Sequence, residues 1–247
     1  MKQTYFSTAS VHPSWQRCLD AALQDMNQAY LEKLAHTPDW LPGPDKIFNA
    51  FSLPVSKVNY LLFGESPYPR AASANGYAFW DAAVMELWSP QGLSKKVNRA
   101  TSLRNFLKML LVAEGLLQPP AFCQPDIVPL DKAQLAQTGT ELFTQLLQQG
   151  FLLLNTSLVL HPHAEKNSQV RKDALAWQPF LQKVIAFLLE QRPQVELLLF
   201  GKIATVVEKL LPATPIKKLC AEHPYNYSFI TNPEVLDFFK PLHLLRK

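Results

Sequence analysis

The sequence predicts an α/β protein in which helices cover both faces of a central four-stranded parallel sheet, a three-layer α/β/α fold. Four short apolar runs carry the strand prediction, at residues 58–63, 151–155, 195–200 and 216–221. Runs of this length suit strands that are buried on both sides. Amphipathic segments with helical spacing separate the runs, which is the alternation that parallel sheets produce.

The elements before the first strand are helical. Residues 15–35 have apolar side chains at helical spacing, which predicts one amphipathic helix with Ser14 as its cap. A connection rich in proline follows, and it contains a short helical turn near 47–51. The run 58–63 then forms the first strong strand.

The elements after the first strand repeat the alternation of helix and strand. Past an irregular stretch, Thr101 and Ser102 are expected to cap a helix that ends at Gly115. The later segments are helix 138–150 with a threonine cap, strand 151–155, helix 173–191, strand 195–200, helix 202–211 and strand 216–221. This order predicts a single domain over residues 1–247, which is within the size range of α/β domains.

The composition is that of an ordinary globular protein, with 48% hydrophobic and 18% charged residues. No apolar run approaches the roughly 18 residues that span a bilayer, and the N-terminus lacks the apolar segment of a secretory signal. We therefore expect a cytoplasmic protein without a membrane partner. The 3 cysteines are scattered and form no Cys-x-x-Cys pair, so the sequence suggests no metal and no cofactor.

Polar residues follow the predicted strands at the edge where parallel sheets bind ligands. The segments that leave the strands begin with the stiff stretch GESPYPR at 64–70, Asn155, Gly201-Lys202 and His223. Taken singly, such residues more often have structural roles: an asparagine after a strand is usually a turn residue, and a histidine before proline is usually hydrogen-bonded. Their convergence on one edge favours a binding cleft.

Six motifs resemble, in order and over nearly the whole chain, those of the uracil-DNA glycosylase superfamily, and most closely the branch of the bacterial and human uracil-DNA glycosylases. The matching segments are Gly64 to Pro69, Gly76 to Phe79, Thr101 to Asn105, Leu152 to Thr156, Pro162 to Asn167 and His223 to Tyr227. The first stands where that branch has Gly-Gln-Asp-Pro-Tyr, and the last stands where it has His-Pro-Ser-Pro-Leu. The resemblance implies an enzyme that flips a base out of DNA to reach its N-glycosidic bond.

The resemblance also implies a role for each residue of the base pocket. Phe79 would stack on the flipped base, and Asn155 would read the N3–O4 edge of uracil with its donor and acceptor. Tyr68 would fill the space beside C5 and exclude the methyl group of thymine. His223 would hydrogen-bond O2 and stabilise the uracil anion as it leaves.

Further residues would bind the DNA around the flipped nucleotide. By resemblance, Ser102, His163 and Lys202 hold backbone phosphates. Tyr225 and Tyr227 replace the serine and the wedge leucine of the family motif. A tyrosine is able to stack in a duplex, so Tyr227 can still enter the space that the base vacates.

The family's water-activating aspartate falls on Ser66, whose hydroxyl is not a useful base at neutral pH. Glu65 is then the only carboxylate of the motif. Two hypotheses stay open for it: Glu65 activates the water, or it only hydrogen-bonds the motif loop. Another branch of the superfamily has Gly-Glu at this point, but it binds an iron–sulfur cluster through four cysteines, more than the 3 present here.

The function implied by the resemblance is that of a monomeric, monofunctional glycosylase in base excision repair, which acts on uracil in single- or double-stranded DNA. Two alternatives remain. The chain is a superfamily glycosylase for another damaged base, with a pocket reshaped by Ser66 and Tyr77, or it is a catalytically impaired DNA-binding or adaptor protein that kept the fold.

Overall fold

The computed structural model describes residues 6–37, 39–162, 166–213 and 215–247, with the backbone alone described for 166–168. The strands are β1 (Tyr60–Gly64), β2 (Trp88–Ser89), β3 (Gly92–Leu93), β4 (Phe151–Asn155), β5 (Glu196–Phe200) and β6 (Lys218–Ala221). The α-helices are α1 (Gln16–Gln24), α2 (Gln28–His36), α3 (Lys95–Arg99), α4 (Thr101–Ala113), α5 (Gln124–Ile127), α6 (Gly139–Gln148), α7 (Lys166–Ala176), α8 (Gln178–Gln191), α9 (Ile203–Glu208) and α10 (Pro233–Phe239). Short 3₁₀ segments occupy Pro13–Trp15, Asn49–Ser52, Val55–Lys57, Tyr227–Thr231 and Lys240–Leu242.

The main sheet has four strands in the order β4-β1-β5-β6. Strand β1 lies parallel to both β4 and β5, and Leu62 is paired with Leu153 on one side and Leu198 on the other. Every residue of β4 and β5 is buried, because helices flank the sheet. The predicted three-layer α/β/α fold with a central four-stranded parallel sheet is therefore confirmed.

The chain divides into two compact units. The first contains Met1–Asp81, Gly150–Leu199 and Ile203–Lys218. The second contains Ala82–Gln149, Phe200–Lys202 and Leu219–Lys247. The expectation of a single domain over 1–247 stays a prediction. No helix in the described part of the chain is long and apolar enough to cross a membrane.

Aromatic side chains fill the core of the first unit. The Trp15 ring meets that of Phe51 edge-on at 5.2 Å, and Phe48 stacks on Phe180 at 5.9 Å. Trp177, between α7 and α8, meets Phe180 edge-on at 5.1 Å. Such pairs add about 0.5–1.5 kcal/mol each beyond their buried area, so they fix the N-terminal helices on one face of the sheet.

In the second unit, α4 supports the chain that follows β6. It packs against the 3₁₀ segment Tyr227–Thr231 and against α10, where the rings of Phe106 and Phe239 lie 5.3 Å apart. The C-terminal residues are held by Glu114, whose carboxylate accepts a hydrogen bond from the Leu245 amide at 2.8 Å. Segment 222–226 thus connects the end of β6 to the 3₁₀ segment that packs on α4.

Two helix predictions near the N-terminus are wrong in detail. The expected helix over 15–35 is two helices, because the Asn27 side chain accepts a hydrogen bond from the Tyr30 amide at 3.1 Å and starts α2 anew. Ser14 does not cap α1. Its hydroxyl accepts from the Val55 amide at 3.0 Å instead.

Other elements also differ from expectation. Neither Thr101 nor Ser102 caps α4, which begins at Thr101 with Ala100 as a cap that makes no side-chain hydrogen bond. The expected helix over 173–191 begins earlier and is divided at Trp177. The strands β2 and β3, of two residues each, pair antiparallel and carry no periodic signal that sequence reasoning detects.

Candidate active site

The motif loop after β1 is held by its backbone. The Gly64 carbonyl accepts a hydrogen bond from the Thr156 amide at 2.8 Å. The Glu65 carbonyl accepts from the Thr156 hydroxyl and from the Ser157 amide, both at 2.9 Å. Because Thr156 and Ser157 are buried at the end of β4, they fix the positions from which the side chains of Glu65 and Ser66 extend.

Asn155 ends β4 directly opposite Gly64 on β1. A Cβ atom on Gly64 would overlap Asn155 Oδ1 and lie 2.9 Å from the Ala78 Cβ, so only glycine leaves room for the carboxamide. Asn155 is 5% exposed, and among the described residues its side chain has no hydrogen-bond partner. Buried polar side chains are normally paired, so this unpaired carboxamide is a candidate ligand-binding group.

A hydrogen bond connects Tyr68 to Phe79. The Tyr68 hydroxyl donates to the Phe79 carbonyl at 3.0 Å. Phe79 has φ +63°, in the left-handed region that L-residues with large side chains rarely adopt, which costs about 1–3 kcal/mol. Burial, followed by the charge of Asp81, raises the pKa of Tyr68 against the opposing charge of Arg70, so the hydroxyl stays a donor. Both rings are half-buried.

His223 follows β6 in the second unit and lies against Gly201. A Cβ atom on Gly201, which has φ +70°, would lie 2.8 Å from the His223 Cβ. The Gly201 amide also donates to the Ala221 carbonyl at 2.8 Å. Lys202, the next residue, is exposed. The ends of β5 and β6 thus bring Lys202 and His223 to one place in the chain's second unit.

The hydrogen bond to the His223 ring determines its tautomer. The Tyr225 amide lies 3.0 Å from His223 Nδ1, and a backbone N–H is only able to donate. Nδ1 is therefore the acceptor, and the neutral ring carries its proton on Nε2. The Asn226 amide donates to the His223 carbonyl at 2.8 Å and closes the turn. The loop thus presents an N–H donor at Nε2.

Two tyrosines on the same loop are exposed, Tyr225 by 68% and Tyr227 by 59%. The Tyr227 ring meets the buried Phe122 ring at 6.0 Å and is supported by it. Ser102, also in the second unit, is half-buried in the first turn of α4. These side chains offer aromatic faces and a hydroxyl, which are groups that bind nucleic acid.

The predicted residues divide between the two compact units. The first unit holds Glu65, Ser66, Tyr68, Phe79 and Asn155. The second unit holds Ser102, Lys202, His223, Tyr225 and Tyr227. His163 lies outside the described residues. Within the described ranges, no group of three or more His, Cys, Asp or Glu side chains is placed to hold a metal ion.

Sequence reasoning assigned no role to the residues that support the His223 loop, although Asn105 lies in one of the matching motifs. Asn105 is buried on α4, and its side chain donates to the Pro224 carbonyl at 2.8 Å. Glu222 accepts from the Asn232 side chain at 2.7 Å. Burial would raise the pKa of Glu222, but hydrogen bonds from Ser228, from its own amide and from Asn232 outweigh it and lower the pKa. A polar Asn105 on an otherwise apolar helix face was the available signal.

No family model matches the chain. A crystal structure of the wild-type UNG from Nitratifractor salsuginis is 40% identical to it, with a TM-score of 0.90, and the match covers 96% of this chain and 94% of that one. The chain belongs to the uracil-DNA glycosylase superfamily. The mimivirus uracil-DNA glycosylase shares the fold at 16% identity and a TM-score of 0.59, over 88% of this chain and 71% of that one.

Curated members of the superfamily give the same result. The uracil-DNA glycosylase of Corynebacterium glutamicum is 28% identical and that of Pseudomonas fluorescens 27% identical, each over 87% of this chain and 80% of the relative. The family resemblance seen in the sequence is therefore confirmed. The placement of Ser66 at the family's aspartate position stays a prediction, as do the roles of individual residues.

Proposed function

We propose that this protein is a uracil-DNA glycosylase, a monofunctional enzyme that excises uracil from DNA in base excision repair. The observation that carries the proposal is the Asn155 carboxamide, which is 5% exposed and without a partner among the described residues. A carboxamide offers one donor and one acceptor side, which match O4 and N3–H of uracil. Cytosine presents the opposite pattern at these positions, so a site built for uracil rejects it.

The remaining pocket residues suit a flat pyrimidine. Phe79 stacks on the flipped uracil, which is worth about 1–3 kcal/mol per base. The Tyr68 ring lies beside C5 and excludes the methyl group of thymine. The hydrogen bond from Tyr68 to the Phe79 carbonyl, 3.0 Å long, supports this assignment because it fixes the two aromatic residues relative to each other.

The chemical step breaks the bond between N1 of uracil and C1′ of the sugar, and the electron pair stays on the base. His223 donates a hydrogen bond from Nε2 to O2, where the negative charge accumulates. This assignment is supported by the bond from the Tyr225 amide to Nδ1, since the proton must then be on Nε2. A preorganised donor of this kind is worth about 10²–10³ in rate.

Water then adds to C1′ and loses a proton. Ser66 is no base, and we assign the proton acceptor to Glu65. The Glu65 carbonyl, and not its carboxylate, holds the motif loop, and the carboxylate has no hydrogen-bond partner among the described residues. This leaves the carboxylate available for the water. Because it is exposed and not oriented by a neighbour, its effect should fall below the usual range of about 10²–10⁴.

Exposed aromatic rings and polar groups of the second unit bind the DNA. Ser102 and Lys202 hold phosphates, Tyr227 enters the vacated stack, and Tyr225 lies beside it. His163 is proposed as a phosphate ligand from the sequence alone. As proposed, the enzyme is a cytoplasmic monomer that uses no cofactor.

One experiment tests this function. The purified protein is incubated with single- and double-stranded oligonucleotides that contain uracil, hypoxanthine, xanthine or a thymine mismatch, and abasic sites are revealed with alkali. Cleavage confined to uracil substrates, and slowed by His223→Ala, supports the proposal. Cleavage of another base, or DNA binding without cleavage, contradicts it.

A further inference from the structure

Asn105 lies on α4 with 2% of its surface exposed, and its amide group faces the loop that carries His223. Its Nδ2 atom donates to the Pro224 carbonyl at 2.8 Å, and it lies 3.3 Å from the Tyr225 carbonyl and 3.4 Å from the Asn226 carbonyl. Three consecutive carbonyl oxygens thus share one buried NH₂ group. The Asn226 carbonyl also accepts from the Phe229 amide at 3.3 Å, so among the described residues it is the Pro224 and Tyr225 carbonyls that depend on Asn105.

The orientation of the Asn105 amide follows from its neighbours. Carbonyl oxygens only accept hydrogen bonds, so the NH₂ group must face the loop. On the other side, Arg104 Nε donates to Asn105 Oδ1 at 3.4 Å, and Arg104 is itself held by a bond to the Asn98 carbonyl at 2.9 Å. The carboxamide therefore has a fixed direction.

One peptide unit connects this carboxamide to the imidazole. The Pro224 carbonyl, which accepts from Asn105, and the Tyr225 amide, which donates to His223 Nδ1, belong to the same planar peptide. Rotation of that plane would break both hydrogen bonds together. The next peptide repeats the arrangement, since the Tyr225 carbonyl faces Asn105 and the Asn226 amide donates to the His223 carbonyl.

We propose that Asn105 is a positioning residue, which orients the His223 imidazole through the Pro224–Tyr225 peptide. This inference rests on the proposed uracil excision. Asn105 touches neither base nor water; it sets the direction in which His223 Nε2–H points. A reacting group displaced by about 1 Å loses about 10²-fold in rate, so we expect Asn105→Leu to slow excision by about that factor.

A double-mutant cycle separates positioning from mere stability. Single-turnover excision is measured at saturating enzyme for wild type, Asn105→Leu, His223→Ala and the double variant. We expect the Asn105 change to slow wild type about 10²-fold and to slow the His223→Ala background less than about threefold. Equal losses in the two backgrounds would overturn the proposal. Asn105→Ser serves as the second variant if the leucine variant does not fold.

The control is Leu146→Ala, a buried substitution on α6 in the same unit. It should lower the melting temperature and leave the excision rate of the folded enzyme unchanged. If Leu146→Ala at matched stability loss slows excision as much as Asn105→Leu does, loss of stability explains both and the positioning role is rejected.

Hydrogen exchange tests the positioning role of Asn105 even if the wild-type protein does not excise uracil. The Tyr225 and Asn226 amides are protected by His223, and the proposal expects Asn105→Leu to speed their exchange while Leu146→Ala does not. Unchanged exchange at these amides would refute positioning by Asn105. Faster exchange without uracil excision by wild type would instead refute the proposed function and leave the positioning role in place.

Discussion

Gly64→Ala is the smallest change that tests the pocket. The new Cβ would overlap Asn155 Oδ1 and lie 2.9 Å from the Ala78 Cβ, whereas carbon atoms pack best at about 3.5–4.0 Å. Ala78 must therefore move away by about 0.6–1 Å, and the overlapping Asn155 carboxamide must also be displaced. Overpacking of this kind costs about 1–3 kcal/mol, which lowers the melting temperature by about 2–12 °C in a protein of this size. The displaced carboxamide should slow uracil excision by about 10²-fold.

The assay combines thermal unfolding with single-turnover excision at a temperature where the variant is folded. Gly115→Ala is the matched control, because Gly115 has φ +73° and no atom within 4 Å of a Cβ at that position. It should lose about 1–2 kcal/mol of stability through backbone strain and keep its rate. A folded Gly64→Ala enzyme with wild-type excision would refute the reasoning, since Asn155 would then not be the group that binds uracil.

Three further predictions concern the motif loop and the His223 loop. Glu65→Gln should slow single-turnover excision about tenfold, and Ser66→Asp should raise it by up to about 10²-fold; unchanged turnover in Glu65→Gln removes Glu65 as the base. Tyr68→Phe loses one hydrogen bond, so the melting temperature should fall by about 2–4 °C while thymine is still excluded; excision of thymine by this variant would contradict the assigned role. The pKa of Glu222 is lowered in the folded protein, so its contribution to stability is present above the ordinary glutamate pKa and is lost as the pH falls through the folded value. The difference in melting temperature between wild type and Glu222→Gln should therefore be largest at neutral pH and disappear in acid.

The sequence was sufficient to predict the sheet because each strand is a short local run of mainly apolar residues. The predicted strand 58–63 differs from the observed Tyr60–Gly64 by two residues at its start and one at its end. The helix over 15–35 was predicted too long because hydrophobic spacing continues across 25–27, where Asn27 interrupts the backbone hydrogen bonds. Hydrophobic periodicity indicates which face of a helix is buried, but a capping side chain such as Asn27 decides where a helix begins.

The site residues that lie at or next to the ends of strands were predictable from the sequence. Glu65 and His223 follow β1 and β6 in sequence, and Asn155 is the last residue of β4, so locating the strands was enough to find them. Asn105 ends one of the matching motifs, but its role was not predicted because its partner, Pro224, is 119 residues away. Nothing in the local pattern distinguishes a buried asparagine that holds a distant loop from one that caps a turn.

The left-handed backbone of Phe79, with φ +63°, implies a trade-off between thermal stability and activity in this enzyme. Glycine would adopt the same backbone without strain, so Phe79→Gly would release about 1–3 kcal/mol of strain but would also remove the ring and its contacts. A thermostabilised version of this protein is best obtained by substitutions elsewhere. A screen that scores melting temperature alone would not report whether the ring that we propose to stack on the base has been kept.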